Sequence, residues 1–388
     1  MEKRNSYPLI RALLRGDDVR WDETDTAELG SALIESARYH GVLPLLDAGL
    51  SSGEAGAGWP KAVRVACAKS TVVSAAFERA SRAEIVRVLD AFAAAGIRPL
   101  LLKGAALAYS HYPSPTLRPR ADTDLLIPID RQAEAAGVLA PLGYEKAIGV
   151  EGKLISYQAA WSRQDHSVTH HLDVHWRINN SQILARALGY DELAARAAPV
   201  PQLGPHAYAP SPLDALLLAC IHRAGHASAP YAVGPLCHAE PDRLVWLYDI
   251  HLLVTSLSTC ELDEFGRRAK AKKIAAICAD GLKASREALG SAIPQSVTAA
   301  LAQIEVVEPS ARYLAGGSAR RMVGDFRALD TWSDRARWIK ELGFPPAGYM
   351  RSKYPDAVID WLPVLYARRA LSGIAGVVSS VGAAGPGA

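Results

Sequence analysis

The sequence predicts an α+β protein: a small mixed sheet flanked by helices, a helical N-terminal region and a large all-α C-terminal region. Three short apolar segments with strand character lie close together, at 97–102, 122–127 and 170–176. Before and after them, apolar residues recur at the spacing of helices. The expected division is a helical region over 1–95, an α/β core over 96–178 and a helical domain over 179–388 that forms one wall of a cleft.

Two helical segments separated by a flexible break are expected in the N-terminal region. Residues 26–50 place apolar side chains on one helical stripe, and the Gly- and Ser-rich residues 51–58 interrupt it. A long helix should follow over 60–95. Its packing edge is expected to consist of Ile85, Val88, Leu89 and Phe92.

Helical spacing dominates the chain after residue 179. The Pro-rich stretch 199–212 should connect the core to the bundle. Residues 361–378 are expected to form an amphipathic helix rather than a membrane span, because Pro363 and two arginines interrupt the apolar run. The tail 384–388 should be disordered. The segments predicted to be helical are 182–197, 211–226, 241–257, 262–303, 309–323 and 331–342.

Bulk composition excludes several classes of protein. The net charge is only +3 (43 − 40), too small for a protein that tracks a long nucleic acid by charge alone. The basic run 267–273 is read as a solvated helix face. Five scattered cysteines without a Cys-x-x-Cys pair argue against a disulfide framework or a cysteine zinc site. Without a signal-peptide pattern or a run of about twenty apolar residues, a cytoplasmic protein is expected.

The strongest chemical signal is the pair Asp122 and Asp124, which leads into an apolar strand. Side chains at i and i+2 of a strand share a face, about 7 Å apart. Like charges held this way repel unless a cation lies between them. Mg²⁺ suits such a place because it takes carboxylate and phosphate oxygens, and Mn²⁺ is the alternative ion. The competing interpretation is a turn whose aspartates cap a neighbouring element.

A Lys103-Gly104-Ala105 corner precedes the acidic pair, between a short strand and a predicted helix. Glycine permits a tight turn, and a helix N-terminus exposes N–H groups to an anion. Lys103 adds a mobile positive charge. The alternative for this lysine is a strand end in water.

A third carboxylate follows the acidic pair. If 170–176 is a strand, His171, Asp173 and His175 share one face, while Leu172, Val174 and Trp176 share the other. The alternative for Asp173 is a surface residue on an edge strand. Between the two strands, a helix is expected over 130–142, with Asp130 as its N-cap and Gly143 at its end.

This order of elements resembles the nucleotidyltransferase superfamily that includes DNA polymerase β, and within it the bacterial uncharacterised nucleotidyltransferase family. The resemblance covers roughly 80–260 and becomes weaker after 213. One departure from the wider superfamily is the lack of a hydroxyl at the Lys103-Gly104-Ala105 corner. The motifs that carry the resemblance are Leu102-Lys103-Gly104, Arg118 with Asp122-Thr123-Asp124, Leu142-Gly143-Tyr144, and His171-Leu172-Asp173-Val174-His175-Trp176.

The resemblance implies a Mg²⁺-dependent (or Mn²⁺-dependent) transfer of NMP from an NTP, ATP included, to a hydroxyl-bearing acceptor. That acceptor is expected to be a small molecule, a peptide or a protein rather than a long nucleic acid. Asp122 and Asp124 would hold the ion on the triphosphate, and Asp124 and Asp173 the ion that activates the acceptor. The remaining nucleotide-binding candidates are Lys103, Gly104, Ala105, Arg118, Arg120 and His175.

Three alternatives stay open at this point. The first is a nucleotide-binding protein of the same fold without transfer activity, and the second is a transferase with a nucleotide-sugar donor. The third is a metal-dependent hydrolase built on the histidines around Asp173. Farther along the chain, His222 and His226 are expected to line the cleft or to pack in the core, with Asp249 paired to one of them. Trp246 and Tyr248 are read as core residues.

Overall fold

A computed structural model gives the fold, and most of the chain is described in it. The described residues are 5–22, 26–51, 58–150, 152–166, 168–227, 231–233, 236–238, 242–302, 307–356 and 361–382. They form an α+β protein with a five-stranded mixed sheet and helices before and after it, as the sequence predicts. Most of the predicted break at 51–58 and all of the predicted disordered tail lie outside the described residues.

The described residues of the N-terminal region form four helices. The helix predicted over 26–50 is two helices, because Gly41 takes a left-handed φ of 69° and ends the first of them. An additional helix near the N-terminus, capped by the Asn5 side chain, was not predicted. The bounds are α1 Ser6–Arg15, α2 Ala27–His40, α3 Leu43–Ser51 and α4 Lys61–Ala94.

The sheet has the strand order β1-β2-β5-β4-β3. Strand β2 is parallel to β5, and the other neighbours are antiparallel. Strands β3 and β4 were not predicted, since Trp161 is the one large apolar side chain in either of them. The bounds are β1 Leu100–Leu102, β2 Thr123–Leu126, β3 Glu145–Lys146, β4 Gln158–Asp165 and β5 Val168–His175.

Two helices connect the first strands: α5 Lys103–Ser110 and α6 Gln132–Leu139. The expectation that Asp130 caps α6 is wrong. Asp130 lies inside a short 3₁₀ turn, and α6 begins after Arg131 without a side-chain cap. Gly143, with φ 84°, ends this segment as predicted.

The C-terminal region is helical in the segments that the sequence predicts, although 182–197, 262–303 and 309–323 are each divided into two or more helices. The segment 262–303, for example, lies in three helices rather than one. No described helix is both long and apolar enough to cross a membrane.

Two small hairpins lie among the helices of the C-terminal region. They are β6 Ala198–Pro199 with β7 Tyr208–Ala209, and β8 Tyr231–Val233 with β9 Leu236–His238. The helices are α7 Gln182–Ala185, α8 Tyr190–Ala195, α9 Pro212–Ala227, α10 Leu244–Ser256, α11 Thr259–Ala271, α12 Ala275–Leu289, α13 Gln295–Ala302, α14 Pro309–Ala315, α15 Ser318–Arg327, α16 Trp332–Gly343, α17 Ala347–Lys353 and α18 Leu362–Gly382.

Apolar cores lie on both faces of the sheet. On one face, Leu125 and Leu172 pack with α6 and with the predicted edge of α4. On the other, Leu102 and Leu126 join a core built from the N-terminal helices together with α9, α10 and α12. Side chains alternate along a strand, so Asp124 and Asp173 face this second, helical side. Because the second core mixes N- and C-terminal helices, the division into three regions stays a prediction.

A buried ion pair ties the loop before β2 to α10. Arg118 donates from Nε and Nη2 to the two carboxylate oxygens of Asp249, each at 2.8 Å, and Tyr112 donates to the same carboxylate. Both charged side chains are 7% exposed. Burial alone would lower the pKa of Arg118, but Asp249 raises it above its usual range, so the guanidinium stays charged.

Removing one member of this pair should strongly destabilise the protein. Asp249→Ala leaves a buried guanidinium without its partner, which costs about 3–5 kcal/mol of unfolding free energy. Urea denaturation followed by circular dichroism measures the loss. Asp330→Ala is the matched control, because the Asp330–Arg186 pair is exposed and should leave the unfolding midpoint nearly unchanged. Equal midpoints for the two variants would contradict the structural importance of the buried pair.

Candidate functional site

Strand register brings two of the predicted acids together. In the parallel β2–β5 pair, Asp124 is the cross-strand partner of Asp173, and on its other side Asp124 pairs with Leu102. His175 lies two residues beyond Asp173, on the same face. Each of the three residues offers one ligand atom, and these atoms all lie within 4.8 Å of one another. Among the described residues, this is the group of acids, histidines and cysteines with the geometry of a metal site.

Asp124 is the buried centre of the group. Its Oδ1 accepts a hydrogen bond from Lys103 Nζ at 2.6 Å and lies 2.8 Å from His175 Nε2. Burial raises the pKa of this carboxyl, but the positive charge of Lys103 and the hydrogen bond from His175 outweigh it and hold the pKa below its usual range. Asp124 is therefore an ionised carboxylate at neutral pH.

The other two acids behave differently. Asp122 precedes β2 and lies outside the three-residue group, although it lines the same cavity and its side chain reaches solvent. Desolvation, together with repulsion from Asp124 and Asp173, raises the pKa of Asp122 to about 6. Burial and repulsion from Asp124 likewise raise the pKa of Asp173. The three carboxylates repel one another, as expected of a site that accepts cations.

The Lys103-Gly104-Ala105 corner lies beside Asp124, at the start of α5. The left-handed residue is Lys103, with φ 50°, rather than Gly104 as the turn argument implied. Gly104 packs closely against the Arg118 side chain: a Cβ there would lie 3.4 Å from the guanidinium carbon. No side-chain cap occupies the N-terminus of α5. Its first N–H groups, including those of Gly104 and Ala105, are therefore suited to bind an anion.

The two predicted phosphate-binding arginines point apart on either side of Pro119. The fork of Arg118 binds Asp249, and the fork of Arg120 binds Glu78 on α4 at 2.5 and 3.0 Å. The expectation that Asp249 pairs with a histidine is therefore wrong. Both arginines line the cavity, and their role as phosphate ligands stays a prediction.

A cleft of about 960 Å³ opens over the acids. This volume is at the upper end of the range for small-molecule sites. His222 and His226 line the cleft from α9, as one of the two interpretations predicts, and their rings are 4.6 Å apart. Trp246 stacks on His226 at 5.0 Å and reaches the cleft wall too. Burial lowers the pKa of His222 well below its usual value, so this ring is neutral at pH 7.

Several cleft residues were not identified from the sequence. They come from segments far apart in the chain, and no local motif marks them. Arg38 lies at the end of α2, Asn179 and Asn180 follow β5, and Tyr313 and Arg321 come from α14 and α15. Only the packing of the N-terminal and C-terminal helices over the sheet brings them to one cavity.

Comparison with known families agrees with this geometry. A family model described as "Uncharacterised nucleotidyltransferase" matches residues 28–290. The chain belongs to this nucleotidyltransferase family. No curated protein matches the chain. The match runs from α2 through α12, so it includes the sheet, the acids and the two histidines of α9, while α13 to α18 lie beyond it.

The ligand set of this member of the family fits a divalent cation. Asp124 and Asp173 supply carboxylate oxygens, the ligands preferred by Mg²⁺ and Mn²⁺. His175 adds a nitrogen, which Mn²⁺ or Zn²⁺ accepts more readily than Mg²⁺ does. Because the ligand atoms already lie within 4.8 Å of one another, they converge without a rearrangement of the sheet.

Asp122 should destabilise the metal-free protein above pH 6. Its folded pKa of about 6 lies above the unfolded value of about 3.9, so stability is lost as pH rises through this window. In EDTA, Asp122→Asn should melt about 1–2 °C higher than the wild type at pH 7.5. The difference should vanish near pH 4.

Thermal melts across this pH range test the expectation. Glu35→Gln, an exposed substitution on α2, is the control and should show no pH-dependent gain. A lower melting temperature for Asp122→Asn at pH 7.5 would indicate a structural role for Asp122.

Proposed function

We propose that this protein is a nucleotidyltransferase that depends on Mg²⁺ or Mn²⁺ and transfers NMP from an NTP to a hydroxyl-bearing acceptor. The observation that carries the proposal is the cross-strand pairing of Asp124 with Asp173, beside the uncapped N-terminus of α5. Nucleotidyl transfer needs cations between carboxylates and phosphates, and it needs donors that position the phosphates. Asp124 and Asp173 supply carboxylates for such cations, and the start of α5 supplies N–H donors for the phosphates.

Asp124 and Asp173 are the proposed metal ligands common to the site, with His175 as a third. Asp122, which lies at the cavity edge and repels both carboxylates, would complete the coordination of the ion that carries the triphosphate. Bound ions would neutralise the charge that develops on the phosphates and on the attacking oxygen. Desolvation of Asp124 suits this task, since charge interactions are stronger away from water.

The triphosphate is proposed to lie against the start of α5. The N–H groups of Gly104 and Ala105 would donate to phosphate oxygens, and Lys103 would contribute its ammonium. Arg118 lies directly against Gly104 and adds positive charge, although Asp249 fixes its fork. Arg120, fixed by Glu78 in the same way, would act through its charge at the cavity wall.

In the proposed reaction, the acceptor oxygen forms a bond to the α-phosphorus, and the bond from this phosphorus to the bridging oxygen breaks. Pyrophosphate leaves with that oxygen. The proton of the acceptor hydroxyl would pass to a carboxylate oxygen of Asp173, since Oδ1 of its partner Asp124 already accepts a hydrogen bond from Lys103 and lies 2.8 Å from His175 Nε2. Protein groups otherwise position the reactants and neutralise charge.

The acceptor is proposed to be a small molecule, a peptide or a protein side chain. The cleft is wide enough for more than a nucleotide, and its wall includes His222, His226 and Trp246. A net charge of +3 gives no support to long nucleic acid as the acceptor. A cytoplasmic location is also proposed, since a reducing compartment keeps thiols such as Cys67 and Cys278 free.

Incubation with each α-³²P-labelled NTP and Mg²⁺ or Mn²⁺ tests the function. We expect label on an acceptor, supplied as a panel of hydroxylated small molecules and peptides or as the protein itself. Asp124→Asn and Asp173→Asn should each lower the labelling rate by about 10²-fold or more, because Asp124 is a proposed ligand of both ions and Asp173 of the ion that activates the acceptor. Glu35→Gln, an exposed acid far along the chain from the sheet, should label like the wild type.

The other outcomes separate the alternatives. Label that persists in both aspartate variants would reject the site. Metal-dependent nucleotide binding without transfer to any acceptor would favour a nucleotide-binding role, and transfer from a nucleotide-sugar donor alone would favour a glycosyl transferase. Stoichiometric zinc with hydrolysis of phosphate esters would favour the hydrolase alternative.

A further inference from the structure

We propose that Lys103 is an exchangeable counter-ion of this site. It neutralises Asp124 while no metal is bound, and it moves to the triphosphate when metal and nucleotide bind together. Metal would then bind weakly alone and tightly with nucleotide. The inference rests on the proposed function, since it takes Asp124 and Asp173 as the metal ligands, and it adds a binding order that the proposed function does not require.

The position of the ammonium is the first observation. Lys103 Nζ lies 2.6 Å from Asp124 Oδ1, and His175 Nε2 lies 2.8 Å from the same oxygen. This oxygen also belongs to a carboxylate of the candidate metal group. A divalent ion bound to Asp124 would lie close to the ammonium and be repelled by it. Lys103 and the ion therefore compete for one carboxylate.

The second observation is the backbone of Lys103. Its φ of 50° is left-handed, a conformation that is uncommon for a residue with a side chain and costs free energy. This conformation occurs at the first residue of α5, between the strand that pairs with Asp124 and the uncapped helix N-terminus. The side chain therefore starts between Leu102, the strand partner of Asp124, and the helix N-terminus at which the triphosphate is proposed to bind.

The third observation contrasts Lys103 with its neighbouring cations. Arg118 and Arg120 are fixed by two-pronged ion pairs, and their side chains are 7% and 3% exposed. Lys103 makes a single contact with its acid and is 26% exposed. A lysine has a flexible four-carbon stem and a point charge, so it can change partners at low cost, whereas the forked arginine pairs are rigid.

Charge balance gives the direction of the exchange. Without the lysine, Asp122, Asp124 and Asp173 would repel one another around an empty site. With a metal ion alone, Lys103 would lose its partner and gain none. A triphosphate brings negative charge to the start of α5 and offers the ammonium a new partner. Nucleotide should therefore release Asp124 for the metal, and metal should favour nucleotide to the same degree.

Binding of Mn²⁺ to the 388-residue chain tests the proposal without turnover. Electron paramagnetic resonance measures this binding as the loss of the signal of free Mn²⁺. Titrations are run alone and with α,β-non-hydrolysable analogues of the NTPs, and the Mn²⁺ that the analogue binds without protein is measured separately and subtracted. For the wild type, we expect the analogue to tighten Mn²⁺ binding about tenfold or more. Lys103→Met should tighten Mn²⁺ binding about tenfold without nucleotide, and it should weaken analogue binding and remove most of the coupling.

Two further variants complete the test. Lys103→Arg keeps the charge and should bind Mn²⁺ alone as weakly as the wild type. Lys283→Met, which removes a 73% exposed lysine on α12, should change neither titration. Circular dichroism melts check that each variant is folded.

Different results overturn the inference and the proposed function. Lys103→Met with unchanged or weaker Mn²⁺ binding would overturn the exchange and leave Lys103 as a phosphate ligand or a structural residue, while the proposed function would stand. Wild-type protein that binds no Mn²⁺ even with nucleotide, or binding that persists in Asp124→Asn and Asp173→Asn, would instead remove the metal site itself.

Discussion

The parallel pairing of β2 with β5 is the constraint on which the site depends. Neighbouring strands lie about 4.8 Å apart, so the register that sets Asp124 against Asp173 forces two carboxylates into contact range on one face. That face is covered by the helical bundle, where water does not fully screen the charges. Lys103 and His175 both contact Asp124 Oδ1, and they stabilise the negative charge that the strand register buries there.

Buried charge elsewhere around the site is balanced in a different way. The loop between α5 and β2 presents Arg118 to Asp249 on α10 and Arg120 to Glu78 on α4. These two pairs anchor the loop to α10 and to α4. A buried pair of this kind contributes more to fixing a geometry than to net stability. The anchored loop holds Asp122 at the cavity edge and keeps a guanidinium against Gly104.

The sequence predicts those parts of the site that depend on local residue patterns. Alternation around Asp173 gave the correct face of β5, and the Lys103-Gly104 corner gave the start of α5. Strand β4 was not predicted because it has few large apolar side chains and so lacks the pattern of a buried strand, although it lies inside the sheet between β5 and β3. The partner of Asp249 could not be found either, since Arg118 is 131 residues away and spacing carries no information at that distance.

The cleft is lined by residues inside the stretch that the family model matches and by residues beyond it. The sheet, α9 and α10 lie inside the family match, whereas Tyr313, Leu314 and Arg321 on α14 and α15 lie beyond residue 290. Part of the cleft wall therefore lies outside the stretch of polypeptide that the family model covers. Substitutions in α14 and α15 would change the shape of this part of the cavity and leave Lys103, Asp124 and Asp173 in place.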